Sequence, residues 1–392
     1  MKKHLEPKCW QTNLPITPDN LKQFWKEVQK LNSSPPVAQT VAGVNGDVGI
    51  AAMWKNHFSD ILNSADGAKE AVLERLRADK PAIDPFTVPE VLEALNELSL
   101  GRSPGCDELY AEHFRTAGIP CATHLSLCFS MMMRHKYLPQ SLTDVVLCPI
   151  VKDKTGDVTD KGNYRPIALA TVCSKILEKV ILKRCRLGLV TSDHQFGFKN
   201  GHSTDMAVFA FKEIVDHYLR NSSPVFICFL DARKAFDRVN HWTLFDKLLR
   251  RGVAASIVQL LASWYGSQTF RVMWGSCLSE GFHVSNGVRQ GGILSPYLFN
   301  VYIDELSYKL DSSGVGCHYL GSVNHLCYAD DMVLLSPTPQ GLQKLLDVCA
   351  RYADAHDIAF NVKKTVCMAI LPSLFKSMSL PDIVLNGTVL SL

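Results

Sequence analysis

Two adjacent carboxylates, Asp330-Asp331, sit between runs suited to strands: His325-Leu326-Cys327-Tyr328-Ala329 before them and Met332-Val333-Leu334-Leu335 after, closed by Ser336-Pro337. Short apolar and β-branched runs around an acidic pair predict a tight hairpin with both Asp at its turn. Turns favour Asp, so a solvated turn is the ordinary use of such a pair. Burying unpaired carboxylates is costly, and a cation would offset that cost. What faces the turn decides between these uses.

A second apolar run, Val225-Phe226-Ile227-Cys228-Phe229-Leu230, leads straight into Asp231 about a hundred residues earlier. A buried strand ending on a carboxylate can face the hairpin. Asp231, Asp330 and Asp331 are then candidate ligands for two Mg²⁺ ions about 3.5–4 Å apart, with Mn²⁺ as a substitute. Such a pair of ions aligns the attacking hydroxyl and the leaving group in nucleotidyl transfer.

The chain has 392 residues, 47% hydrophobic and 20% charged, as expected of a soluble globular protein with core for two or three domains. No apolar run approaches the roughly 20 residues of a membrane span, and Met1-Lys2-Lys3-His4-Leu5-Glu6-Pro7 lacks a signal-peptide core. The expectation is an intracellular protein, in nucleus or cytoplasm, neither secreted nor membrane-bound. Thirteen cysteines scattered from Cys9 to Cys367, without a CxxC pair, argue against a disulfide framework or a Cys-based zinc module. A formal charge of +3 does not by itself call for nucleic acid. Residues 152–186 are locally basic, with nine Lys/Arg against four Asp/Glu, which suits either a phosphate-binding face or a solvated helix.

Along the chain, Leu21, Phe24, Trp25, Val28 and Leu31 predict a helix starting at Asp19 or Asn20, and Trp54, Phe58 and Ile61 predict another over 51–62. Thr87 and Glu90 have capping-box spacing ahead of a helix reaching toward Gly101, with further helical stretches at 108–115 and 126–133. A strand over 145–151 enters Lys152, a polar loop follows, and a strand begins at Tyr164. This is either a flap setting Lys152 and Arg165 over a triphosphate or a surface hairpin. Phe196 and Phe198 lie in a Gly-interrupted turn before a helix capped by Ser203 or Thr204; they stack on bases or pack in the core.

After Asp231, the small Ala232 permits close backbone approach, and Phe236 one turn on closes the space a ribose 2′-hydroxyl needs, unless it is simply core. Residues 252–266 predict a helix and 268–284 alternating strands. Asn286-Gly287-Val288-Arg289-Gln290-Gly291-Gly292 reads as a nucleotide or strand cradle, with Pro296 opening a helix over 295–310. A helix ends near His356, and 358–365 predicts a strand on which Lys364 is either a proton donor to departing pyrophosphate or a surface lysine.

FLDARKAFD at 229–237, NGVRQGGILSPYLFN at 286–300, YADDMVLL at 328–335 and FNVKKT at 360–365 occur in the order of reverse-transcriptase motifs. With GRSPGCDELYAEHF at 101–114 and GNYRPIALATVCSKILEK at 162–179, the chain resembles the LINE-type (non-LTR) retrotransposon branch over roughly residues 95–390. The resemblance implies an α+β right-hand polymerase: a palm sheet packed on helices, with fingers. The expected division is a helical N-terminal extension or linker over 1–90, fingers and the start of the palm over 91–224 and palm over 225–392, with the reverse-transcriptase domain over about 145–392.

It implies Asp231, Asp330 and Asp331 as the metal triad, with the Ala232 carbonyl near the metal and Phe236 as a gate against ribonucleotides. Arg289, Gln290 and Gly291 would cradle the incoming nucleotide, and Lys152 and Arg165 correspond more loosely to triphosphate-binding finger residues. Phe198, Ser203 and Tyr328 are expected beside template and primer. The implied partners are an RNA template, a DNA primer or target, dNTP and other element-encoded proteins. Two other functions stay open: an inert fragment that only binds RNA, and an RNA replicase, which normally needs a polar group where this chain has Phe236. The family's primer-grip hairpin and thumb normally follow FNxxKT, so a chain ending at Leu392 is expected to be a truncated copy of doubtful activity alone.

Overall fold

A computed structural model describes residues 38–63, 69–78, 83–372 and 381–390; the helix predicted from residue 19 or 20 lies outside them. One sheet is organised around the strand Val225–Arg233. On one side it pairs antiparallel with Asp331–Ser336, which pairs in turn with His325–Tyr328; on the other it pairs with Ala359–Phe360 and Val366–Ile370. Phe226, Cys228 and Leu230 of this strand enter the large helix-covered core, while Val225 and Ile227 enter a smaller one with Ile214, Val215, Leu326 and Leu335. A strand covered on both faces has no use for polar alternation, which explains its unbroken apolar run. This is the α+β class expected, with an antiparallel sheet as palm.

In the second sheet, Asp144–Val151 pairs antiparallel with Tyr164–Leu169 and parallel with Thr269–Trp274, which also takes the short strands Cys277–Leu278 and Phe282–His283. The helix Asp47–Ile61 covers this sheet: Trp54 is fully buried, stacked on Phe58 at 5.2 Å and 5.1 Å from Tyr164. A sheet's apolar face must be covered, and here the cover comes from far away in sequence. The helix Asp47–Ile61 therefore shares one hydrophobic core with this sheet, to which residues 269–283 also contribute strands.

Local differences have local causes. The capping box forms as predicted, with Thr87 N–H donating to the Glu90 carboxylate at 2.8 Å, but its helix, Val88–Asn96, stops short of Gly101. The two stretches expected at 108–115 and 126–133 fall within Ala111–His135, a run that the non-helical Gly118 (φ 52°, ψ −135°), shortly before Pro120, divides into two helices. The single strand expected over 358–365 is split. Phe360 pairs with Ala232 and Val366 with Phe229, so 361–365 loops outward opposite Leu230 and Asp231. Among the described residues the cysteines are unpaired, and no helix is long and apolar enough to cross a membrane.

Arg289, a candidate of the nucleotide cradle, has a side chain only 2% exposed, paired with the equally buried Glu178 and set over the Trp264 ring at 4.8 Å. Glu178 also accepts from the Ile293 and Leu294 N–H groups at the start of helix Ser295–Asp311. A carboxylate suits that positive helix end, and the guanidinium keeps its charge compensated. The pair thus ties the glycine-rich loop to the start of that helix. Removing one partner of such a buried pair strands the other charge. Arg289→Ala is expected to cost about 3–5 kcal/mol, read from the urea midpoint at constant slope. Adding Glu178→Gln should recover part of the loss, because it removes the stranded charge and keeps an acceptor.

Candidate active site

The palm sheet brings the three acids together through register. Asp331 lies directly opposite Asp231, and Tyr328 pairs with Asp331 across the hairpin, leaving Ala329 and Asp330 as its turn. Burial raises the Asp330 carboxyl above its ordinary value, and the charges of Asp331 and Asp231 push it further; burial and Asp231 do the same to Asp331. Burial and neighbouring negative charge thus disfavour ionisation of Asp330 and Asp331, a preference that a divalent cation bound beside them would reverse.

Both sides of this acidic group are braced by the backbone. Asn361 N–H donates to the Asp231 carbonyl at 2.8 Å from the outward loop, whose Thr365 is buried. Ala329 takes φ 58°, and the buried Gln195 holds it there: its amide oxygen accepts from Ala329 N–H at 2.9 Å, and its amide nitrogen donates to the Ala329 carbonyl at 3.2 Å. Phe196 N–H donates to the Cys327 carbonyl and Cys327 N–H to the His194 carbonyl, both at 2.8 Å, so 194–196 is bridged in parallel to the hairpin's first strand. Gly197 must be Gly, because a Cβ there would stand 2.3 Å from the Ala329 nitrogen. Sequence reading missed Gln195 and Asn361, since neither a lone Gln nor an Asn signals a backbone brace.

The glycine-rich loop is laced to the segment after Asp231. Val288 N–H donates to the Phe236 carbonyl and Gly287 N–H to the Val239 carbonyl, both at 2.8 Å, while the Gln290 carbonyl accepts from Ala168 of the fingers at 2.7 Å. Gly291 has φ 112° and faces the Ala168 carbonyl, where a Cβ would approach to 3.0 Å. Gln290 Nε2 donates to Asp237 Oδ1 at 2.8 Å. Phe236 stacks on Phe299 at 4.4 Å and meets the half-exposed Phe198 edge-on at 6.2 Å.

Residues 151–379 match the family described as reverse transcriptase (RNA-dependent DNA polymerase). The chain belongs to that family. It is 27% identical over 322 residues to the RNA-directed DNA polymerase from mobile element jockey of Drosophila funebris, covering 79% of this chain and 34% of the relative. It is 29% identical over 283 residues to the retrovirus-related Pol polyprotein from type-2 retrotransposable element R2DM of Drosophila melanogaster, covering 70% and 26%. With the corresponding polyprotein of element R1 from Bradysia coprophila, identity is 23% over 401 residues, covering 98% and 38%. The chain thus spans about a third of the length of the curated relatives it matches.

Within this reverse transcriptase domain the other predicted residues are distributed unevenly. Lys152 and Arg165 are exposed on the fingers hairpin, and the charge of Lys152 reaches both Lys234 and Asp237. Lys161, counted in the basic stretch 152–186, and Lys234, given no role from sequence, add to this positive charge: both reach His57, and Lys234 Nζ lies 3.4 Å from His57 Nε2. Ala232 is half-buried beside Asp231, and Lys364 is exposed in the outward loop. Tyr328 is 39% exposed, and Ser203 spends its hydroxyl capping the helix Thr204–Arg220.

Asp237 was quoted within its motif but given no role. Burial raises its carboxyl from 3.8 to about 6, against the opposing Gln290 hydrogen bond and the Lys234 and Lys152 charges. A folded-state value above the unfolded one means the folded chain holds this proton more tightly. The stabilisation is full below pH 3.8 and lost as pH rises through about 6. Asp237→Asn, which can still accept from Gln290, should remove on the order of 3 kcal/mol of that pH dependence. Urea unfolding of the metal-free protein across this range checks it.

Proposed function

We propose that this reverse transcriptase domain is the RNA-directed DNA polymerase of a non-LTR retrotransposon protein, joining dNTPs to a primer 3′-hydroxyl on an RNA template. The observation that supports it most is the register placing Asp231 against Asp331 with Asp330 at the adjoining turn. The family generally works with divalent cations. Here two Mg²⁺ ions, replaceable by Mn²⁺, would be held by Asp231, Asp330, Asp331 and the Ala232 carbonyl. All-oxygen donors and crowded carboxylates suit a hard divalent ion. When bound, such ions activate the attacking hydroxyl and offset charge on the leaving phosphate.

The chain's own residues supply position and charge. Gln290 and Gly291 cradle the incoming nucleotide, fixed from one side by Asp237 and from the other by Ala168. Phe236, backed by Phe299, closes the space beside the sugar's 2′ position. Lys152 and Arg165, joined by Lys161 and Lys234, attract the triphosphate. Lys364 protonates the departing pyrophosphate. Phe198, Tyr328 and the helix start capped by Ser203 face template and primer. Such an element-encoded enzyme acts inside the cell, in nucleus or cytoplasm, with other element-encoded proteins as further partners.

Primer extension by the 392-residue chain on poly(rA)–oligo(dT) with Mg²⁺ tests this reading. Asp330→Asn is expected to lose at least about a hundredfold in rate. Equal rates for the two proteins, or a preference for NTP over dNTP, would reject it. If both are inactive yet bind RNA with steep salt dependence, the chain is a nucleic-acid-binding module. In an active chain, Phe236→Ala should lower the dNTP-over-NTP ratio of kcat/KM by about tenfold or more.

A further inference from the structure

At the hairpin's far end from the acidic turn stands a second cluster of potential ligands. His194, Asp311 and His325 come from the strand-like segment beside the hairpin, the end of helix Ser295–Asp311 and the first residue of strand His325–Tyr328. One donor atom from each lies within 4.8 Å of the other two. His194 Nδ1 is 3.5 Å and His325 Nδ1 3.9 Å from Asp311 Oδ1, and the two imidazole rings are 4.5 Å apart.

Independent of that proximity, His194 Nδ1, Asp311 Oδ1 and His325 Nε2 are each shielded from solvent and make no hydrogen bond among the described residues. The His325 side chain is 0% exposed. Three unsatisfied buried polar atoms in one place are expensive unless something absent from the protein atoms satisfies them.

The tautomer of His325 can be read from its neighbour. Asn324 Nδ2 donates to the Leu310 carbonyl at 2.7 Å and the Val315 carbonyl at 3.0 Å, which fixes the amide's orientation. Its oxygen, 2.7 Å from His325 Nδ1, can only accept, so Nδ1 carries the proton and Nε2 keeps the lone pair. Metal-binding histidines are ordinarily oriented in this way by a hydrogen bond to the other ring nitrogen.

We propose that His194, Asp311 and His325 bind a structural transition-metal ion, Zn²⁺ foremost, that ties the base of the catalytic hairpin to the segment bracing its turn. Two imidazoles and a carboxylate favour Zn²⁺ over Mg²⁺ or Ca²⁺, with water completing four-coordination. The site is separate from the three-Asp group and does not depend on the polymerase reading. Its effect would be mechanical, because Gln195, which clamps Ala329, follows His194 directly.

Co²⁺ titration of the full chain, followed by visible absorption, tests the site. The expected result is about one equivalent with the intense bands of a four-coordinate ion. Asp330→Asn should retain them, while His194→Gln and Asp311→Asn, both at partly exposed side chains, should weaken binding by at least about a hundredfold. Zn²⁺ should compete with the Co²⁺ signal and raise Tm in the parent chain but not in these two variants. Far-UV circular dichroism establishes that each protein is folded. A folded parent without the bands, or folded variants that keep them, would overturn the proposal.

Discussion

Mutual repulsion among Asp231, Asp330 and Asp331 is the constraint the palm is built to withstand. Like charges at one end of a sheet favour fraying of the paired strands, and burial adds a desolvation cost. The sheet therefore needs support at the backbone level, where it does not compete for the carboxylate oxygens. Asn361 holds the Asp231 carbonyl, and Gln195 holds both polar backbone groups of Ala329. Asn300 Nδ2 in turn donates to the Gly197 carbonyl at 2.8 Å from within the buried helix Ser295–Asp311. The carboxylates are left available while everything behind them is fixed.

A second set of contacts joins the fingers to this rigid palm. The loop 286–292 bonds to the segment 236–239 on one side and to Ala168 on the other, so it links the second sheet to the turn that follows the palm strand. The Glu178–Arg289 pair anchors it from below, linking helix Val172–Arg184 to the start of helix Ser295–Asp311. Gln290 is thus held through both backbone and side chain. Its bond to Asp237 places a buried acid close enough to feel the Asp330 charge, which couples cradle and acidic turn electrostatically.

Sequence made the palm legible because its elements announce themselves locally: an acidic pair between apolar runs, an apolar strand ending on Asp, glycines beside a proline-started helix. The family comparison agrees with the resemblance carried by those motifs. Several supports were illegible for a common reason. The place of helix Asp47–Ile61 depends on a sheet whose strands lie roughly 100 to 220 residues away, and no local pattern records that contact. Arg289 illustrates the converse. An Arg in a glycine-rich motif suggests a ligand, but the partner of its side chain, Glu178, sits on a helix over a hundred residues earlier and is apparent only in three dimensions. The split of 358–365 is a matter of register against a strand over a hundred residues earlier, which periodicity within the segment does not encode.

The aromatic stack beside the glycine-rich loop shows how rigidity would serve the sugar selectivity proposed for it. To discriminate by a single hydroxyl, a gate must resist displacement by a few tenths of an ångström, since a ring free to swing would admit the larger sugar. Phe236 is stacked face to face on Phe299, which is fully buried in helix Ser295–Asp311, and its carbonyl accepts from Val288 of the cradle. Moving the ring would therefore disturb both the helix core and the cradle loop. Close-packed interiors resist such shifts because even a small gap forfeits dispersion contacts. The proposed gate thus draws its stiffness from the same helix whose Asn300 supports the loop behind the acidic turn.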